Sequence, residues 1–192
     1  MKISDAPHPT LALSLGPADH ILGSIGAPVQ LVEYGDYECR YCGLARLAVR
    51  DILKRAGSQI CFAWRHFPFG KIHPHARLAA LAAEAAGEKF WLMHDLLLRY
   101  QRSLQMEKLL EYAQRIDLDV EEFRAKLEEE RHAARLREHR TGGIRSGVNT
   151  TPTFYIQGRR HNGGFDAAAL WEAILPHLEA APRRRPCNDS GK

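Results

Sequence analysis

The feature that most constrains this chain is an apolar strand running directly into a pair of cysteines. Pro28-Val29-Gln30-Leu31-Val32-Glu33-Tyr34 is a largely apolar run with β-branched residues, and it reads as a buried strand. Gly35-Asp36-Tyr37-Glu38 is a turn. Cys39-Arg40-Tyr41-Cys42 then opens a segment, Leu44 to Leu53, whose apolar residues recur at helical spacing. Cys39 is therefore expected at a helix N-terminus, where unpaired backbone N–H groups and the positive end of the helix dipole favour a thiolate. A thiol so placed has its pKa lowered by about one to several units from roughly 8.5. The pair reads as a redox-active dithiol.

The rest of the chain builds a frame around that start. Gln59 to Phe67 is rich in aromatic and apolar residues and reads as a second strand, parallel to the first through a βαβ crossover. From Pro74 the pattern becomes helical only: an Ala-rich run over 75–86, a more buried helix from Phe90 to Leu98, and a third from Met106 to Ile116. Asp119, with Glu122 three residues on, suggests a capping box for a charged fourth helix to about His139. Gly142-Gly143 and Gly147 interrupt the pattern that follows. Thr153-Phe154-Tyr155-Ile156 is a strand directly preceded by Pro152, Gln157 to Arg160 is a turn, His161 to Gly164 is a short strand or turn, and Asp166 caps a last helix from Ala167 to Leu178. The expected fold is α/β: a mixed sheet with helices on both faces and an all-helical insertion. Residues 19–72 and 141–180 form its core and 73–140 the insertion, with 1–18 and 181–192 as flexible ends.

A CxxC spacing also serves zinc, which needs two further ligands. Cys61 and Cys187 do not supply a second close pair, and His73 and His75 have no carboxylate near them in sequence. No metal is expected. A purely structural disulfide across so short a loop would stabilise little by the loop-entropy argument. Glu33 lies six residues before Cys39 on a strand that should be buried, an unfavourable place for a carboxylate unless it titrates. Two readings stand for it: a proton acceptor for Cys42, or a residue salt-bridged at a sheet edge to Lys54 or Arg65. Thr151-Pro152 likewise reads either as an edge residue or as a bend that frees the preceding backbone to pair with an extended peptide.

Val32 to Cys39, the CxxC, Arg65-His66-Phe67-Pro68, Phe90-Trp91 with Met93-His94-Asp95, and Gly147-Val148-Asn149 before Thr151-Pro152-Thr153-Phe154 together resemble the DsbA-like thioredoxin-fold proteins. The likeness covers about residues 19–180. It implies a thioredoxin-like core with a helical insertion, Cys39 as nucleophile, Cys42 as resolving thiol, a buried acid at Glu33 and a cis-proline at Pro152. Two positions depart from the pattern. Arg40 stands where proline is common, and Thr150 where glycine is. Arg40 either adds a positive charge that favours the Cys39 thiolate and a more oxidising disulfide, or is an exposed side chain shielded by water. Tyr41 and Thr151 join it as site-shaping residues, with the Thr151 hydroxyl directed at the Cys39 sulfur.

The resulting expectation is a thiol–disulfide oxidoreductase of undetermined direction. It needs no cofactor, acts on protein or small-molecule thiols and disulfides, and is restored by a redox partner. The rivals are a glutathione-dependent transferase or isomerase of the same fold and a redox-sensing binding module without turnover. The net charge of +4 carries little weight, because Arg183, Arg184, Arg185 and Lys192 against Asp189 put +3 in the last ten residues. A nucleic-acid role would need a basic face with interleaved aromatics, which is not seen. No stretch is long and apolar enough to span a bilayer. Leu11 to Leu15 is too short for a signal h-region, so with Met1 as the start the expected compartment is the cytoplasm.

Overall fold

The structure is a computed structural model and describes residues 10–180. The basic tail, Cys187 and the first nine residues of the N-terminal arm lie outside the described residues. The sheet has five strands: β1 (His20–Leu22), β2 (Val29–Gly35), β3 (Ile60–His66), β4 (Thr153–Ile156) and β5 (Arg159–Arg160), in the order β1-β3-β2-β4-β5. β2 and β3 are parallel, joined by α1 (Arg40–Ala56), and every other pairing is antiparallel. This is the mixed α/β fold expected from the sequence. β1 was not foreseen, since three residues are too few to show an alternation. β5 occupies Arg159–Arg160, where only a turn was expected.

Alternation along β2 sorts its side chains onto two faces. Val29 and Leu31 meet α1 and α7 (Ala167–Ala180), through Ala45, Val49, Ile52, Leu170 and Ile174. Val32 and Tyr34 face the other way, into a smaller cluster with Ala63, Phe67, Val148 and Tyr155. Between β3 and β4 the chain forms α2 (Ala76–Ala85), α3 (Phe90–Arg99), α4 (Met106–Arg115), α5 (Val120–Glu128) and α6 (Ala133–Arg145).

The last two correct the single charged helix expected over 119–139. The chain breaks after Glu128, and Glu130 takes a φ of +47°, with neither Gly nor Pro to announce it. The Asp119 carboxylate does accept from the Glu122 backbone N–H at 2.9 Å, as expected of a cap. α6 then runs through Gly142-Gly143, where an interruption was expected. Those glycines serve close packing: a Cβ at Gly142 would stand 2.7 Å from Leu13 Cδ1, and one at Gly143 2.7 Å from Phe67 Cδ2.

The described part of the N-terminal arm is laid on this second face. Leu11 N–H donates to the Gly158 carbonyl at 2.8 Å, and Ala12 N–H to Ser146 Oγ at 2.9 Å. Arg65 grips Asp19 with two nitrogens, at 2.8 and 2.9 Å, and donates to the carbonyls of Leu13 and Ser14. Residues 10–18 are therefore anchored rather than free.

Candidate active site

Cys39 caps α1 in an extended conformation, and its carbonyl accepts from the backbone N–H groups of Cys42 and Gly43. Both cysteines are free and buried, Cys42 completely. The Cys39 thiol lies 3.2 Å from the Thr151 carbonyl oxygen, and the Thr151–Pro152 peptide bond is cis. Asp36 N–H points at Cys42 Sγ from 3.4 Å.

The two thiols diverge electrostatically. A hydrogen bond from Cys42 does most to stabilise the Cys39 thiolate; burial opposes it, and bonds from Thr151 and from the Cys42 and Tyr41 backbone assist it. The Cys39 pKa falls to about 5. Arg40, which is exposed, is not among these leading causes. Burial pushes the Cys42 thiol well up, and the bond it gives Cys39 and the nearby Glu33 charge push it further.

Glu33 is buried on the central strand β2, with β3 on one side and β4 on the other. The edge salt bridge considered for it is absent. Arg65 lies on the opposite face beside Tyr34 and is committed to Asp19, and among the described residues Lys54 forms no ion pair with Glu33. Glu33 Oε1 has no hydrogen-bond partner. Burial, then repulsion from a Cys39 thiolate, raises its pKa well above the ordinary carboxylate value. Glu33 lines a cavity of about 100 Å³ with Arg46, His94 and Asp95, and Arg46 Nε is likewise unpartnered.

Three side chains unforeseen as site residues fix the turn before the cysteines. Asp36 accepts from the backbone of Glu38 and Phe69 at 2.8 Å each, and pairs with His73 Nδ1 at 2.8 Å. Glu38 accepts from the His75 backbone at 2.7 Å and meets its Nδ1 at 3.1 Å. Gln101 Nε2 donates to the carbonyls of Tyr37 and Cys39, at 2.9 and 2.7 Å. Gly43 makes room for it, since a Cβ there would lie 2.2 Å from Gln101 Oε1. The first two pairings had a signal: Asp36-x-Glu38 and His73-x-His75 share one spacing, so both pairs are 37 residues apart. Gln101 had none.

Beside Pro152 lies a groove of about 330 Å³ lined by Tyr41, Thr151, Pro152, Arg160, His161 and Phe165. Of the expected site residues, Cys39, Cys42, Glu33, Thr151 and Pro152 thus converge, Tyr41 walls the groove, and Arg40 faces solvent on the other side.

One group among the described residues, His66, Glu84 and His139, brings metal-ligand atoms within 4.8 Å of one another. It does not fit a cation. Trp64 Nε1–H donates to His66 Nδ1, and His66 N–H to His139 Nδ1, so each neutral ring keeps its proton on Nε2. Glu84 is already taken by His66, His20 and Arg135, at 2.9, 3.0 and 2.9 Å.

Residues 16–175 match the sequence model of the family described as thioredoxin. The chain belongs to the thioredoxin family. Its structural likeness is to the DsbA-like members. It superposes on a thioredoxin-like oxidoreductase from Silicibacter pomeroyi DSS-3 with a TM-score of 0.76 and 25% identity, covering 86% of this chain and 95% of that one. Against alpha-DsbA1 of Wolbachia pipientis the TM-score is 0.77 at 18% identity, covering 87% and 94%, a likeness of fold. A curated relative from Salinispora arenicola, Na(+)/H(+) antiporter NhaA 1, is 47% identical over 173 residues, which is 89% of this thioredoxin-family chain and 26% of the relative. The chain thus spans about a quarter of the length of the curated relatives it matches. No helix of the described residues is long and apolar enough to cross a membrane.

Proposed function

We propose that this chain exchanges disulfides with protein thiols, and does so as an oxidant. The observation that carries the reading is the split between the cysteines: a Cys39 thiol brought down to about 5 beside a buried Cys42 pushed up. A stabilised thiolate favours the reduced pair, which makes the disulfide a better electron acceptor. A substrate thiolate attacks Sγ of Cys39 in the Cys39–Cys42 disulfide. Cys42 leaves with the electron pair and takes a proton from Glu33, whose raised pKa suits that exchange. A second substrate thiolate then attacks the substrate sulfur of the mixed disulfide, and Cys39 departs as a thiolate. The substrate leaves oxidised by two electrons, and a partner carrying its own disulfide restores the pair.

Thr151 steadies the Cys39 thiolate, and the groove walled by Tyr41, Thr151 and Pro152 takes an extended substrate backbone. Residues 73–140 act as a helical insertion that closes over the dithiol. An oxidising pair belongs outside a reducing cytosol, so the potential, rather than the cytoplasmic expectation, assigns the compartment. For the antiporter relatives we propose that the shared quarter is a dithiol module, distinct from ion transport.

The test compares wild type with Cys39→Ser and Cys42→Ser in oxidation of a dithiol peptide and reduction of insulin. Wild type turns over, Cys39→Ser does not, and Cys42→Ser accumulates a mixed disulfide. Equal, negligible turnover by all three would overturn the reading, and activity of Cys42→Ser that depends on glutathione would favour the transferase. The expected potential lies nearer about −120 mV than about −270 mV.

A further inference from the structure

On the side of Cys39 away from Pro152, a notch of about 420 Å³ opens between the start of α1 and the segment after α3. Its walls include Glu38, Arg40, His75, Gln101, Arg102 and Gln105. The charges in it are unequally committed. The Glu38 carboxylate is spent on the backbone N–H and ring of His75. Gln101 is held by the carbonyls of Tyr37 and Cys39, which puts the floor of the notch against the backbone of the nucleophile itself. Arg40 and Arg102 are both exposed, and neither has an ion-pair or hydrogen-bond partner among the described residues. The groove on the Pro152 side differs, because its cation, Arg160, is occupied by the Gly147 carbonyl and by Asn149 Oδ1.

From this asymmetry we infer that the Arg40–Arg102 notch selects substrates whose reacting sulfur lies beside a carboxylate. The inference rests on the oxidoreductase reading and adds a substrate class to it. A sulfur that reaches Cys39 has chain or substituents on both sides. One side runs over Thr151 and Pro152, and the other overhangs two free guanidiniums, which suit a carboxylate in planar, forked geometry. The same chemistry has two sources: an acidic residue next to a cysteine in a protein, or a small carboxylated thiol.

The test measures the rate at which the oxidised protein reacts with single-cysteine peptides flanked by Glu, Gln or Lys. A second arm uses glutathione, 2-mercaptoethanol and cysteamine. Each rate is divided by that of Arg102→Glu on the same thiol, which cancels the thiol's own reactivity. The acidic-to-basic ratio should be about three- to tenfold higher in wild type than in Arg102→Glu at low salt and collapse at high salt, with Arg102→Gln between them. The preference in the peptide arm, with or without the small thiols, supports an acidic chain segment. In the small-thiol arm alone it supports a free carboxylated thiol. Equal ratios in wild type and Arg102→Glu overturn the inference. So does a change in the Cys39 pKa of Arg102→Glu, read from thiolate absorbance, large enough to account for the ratio. The Gln-flanked peptide keeps the two readings apart: failure of wild type to oxidise it sinks the oxidoreductase proposal, whereas oxidation without charge preference sinks only this one.

Discussion

Two buried glutamates divide the molecule into a part that holds and a part that works. Glu84, on α2, receives His66, His20 and Arg135. Burial opposes its charge, but the hydrogen bonds from both histidines outweigh it and hold the carboxyl well below the ordinary range. Glu33, on β2, keeps one oxygen without a partner, and burial drives its pKa the other way. Both sit in dry surroundings, so burial alone does not decide what a carboxylate becomes; the partners do. A saturated carboxylate ties strands to helices. An unsaturated one beside two thiols remains able to take and give a proton.

The largest effect should come from breaking the saturated site. Glu84→Gln leaves Arg135 facing a neutral amide in a buried network and should lower stability by about 3 kcal/mol in urea unfolding at pH 7. Dithiol turnover, measured at a temperature where both proteins are folded, should hold at the wild-type rate. A variant that stays stable but loses turnover would erase the division between the two glutamates. Next comes a linkage effect at the thiols. Cys39 ionises at about 5 when folded, against roughly 8.5 in an unfolded chain. This acid's pKa is depressed by folding, so its stabilisation of the reduced protein is complete above the unfolded value and is lost as pH falls through about 5. Between pH 5 and 7 the reduced form should gain roughly 2–3 kcal/mol on the oxidised form. Paired unfolding curves of the two forms at each pH check it, and parallel pH dependences would remove the low thiol pKa.

How far the sequence carried this division depends on how local each signal is. The strand, turn, Cys39-x-x-Cys42 and helix are contiguous, and alternation places Glu33 on the face of Leu31, so the dithiol and the acid beneath it were legible. The choice between a proton acceptor and a salt bridge was not, because it turns on β2 being central and on Arg65 pointing to the opposite face, toward Asp19. Glu84 looked like one polar residue in an Ala-rich helix. Its partners come from β1, β3 and α6, so no window of sequence contains them. The break between α5 and α6 was hidden for another reason: Glu130 adopts a positive φ without being glycine. The clamp on the active-site turn went unread, because His73 and His75 have no carboxylate near them in sequence and meet Asp36 and Glu38 only in the fold.

A smaller effect sharpens the comparison from the other side. Because burial raises the Glu33 pKa, folding favours its protonated form; the carboxyl lowers stability progressively as pH rises from the ordinary value, about 4.5, toward the raised one. Glu33→Gln should therefore match wild type near pH 4 and exceed it increasingly as pH rises toward 8 in urea unfolding. Formation of the mixed disulfide, the step in which Cys42 leaves and takes its proton from Glu33, should slow at neutral pH. Equal stability at both pH values would mean that Glu33 is paired or hydrated well enough to ionise normally.

The smallest change tests whether the turn before the cysteines belongs to the holding part or the working part. Gln101→Ala removes two hydrogen bonds to the carbonyls of Tyr37 and Cys39 and opens the space that Gly43 leaves for the amide. Water can reach those carbonyls, so the global loss should be about 1 kcal/mol. Locally the helix start that presents the Cys39 sulfur loses a clamp, and amide exchange at residues 42 and 43, whose N–H groups bond the Cys39 carbonyl, should quicken. If exchange there is unchanged while stability falls, Gln101 belongs with Glu84 among the residues that hold. If exchange quickens and the Cys39 pKa climbs with it, the turn is part of what makes the thiolate, because two of the bonds lowering that pKa come from the backbone of Tyr41 and Cys42.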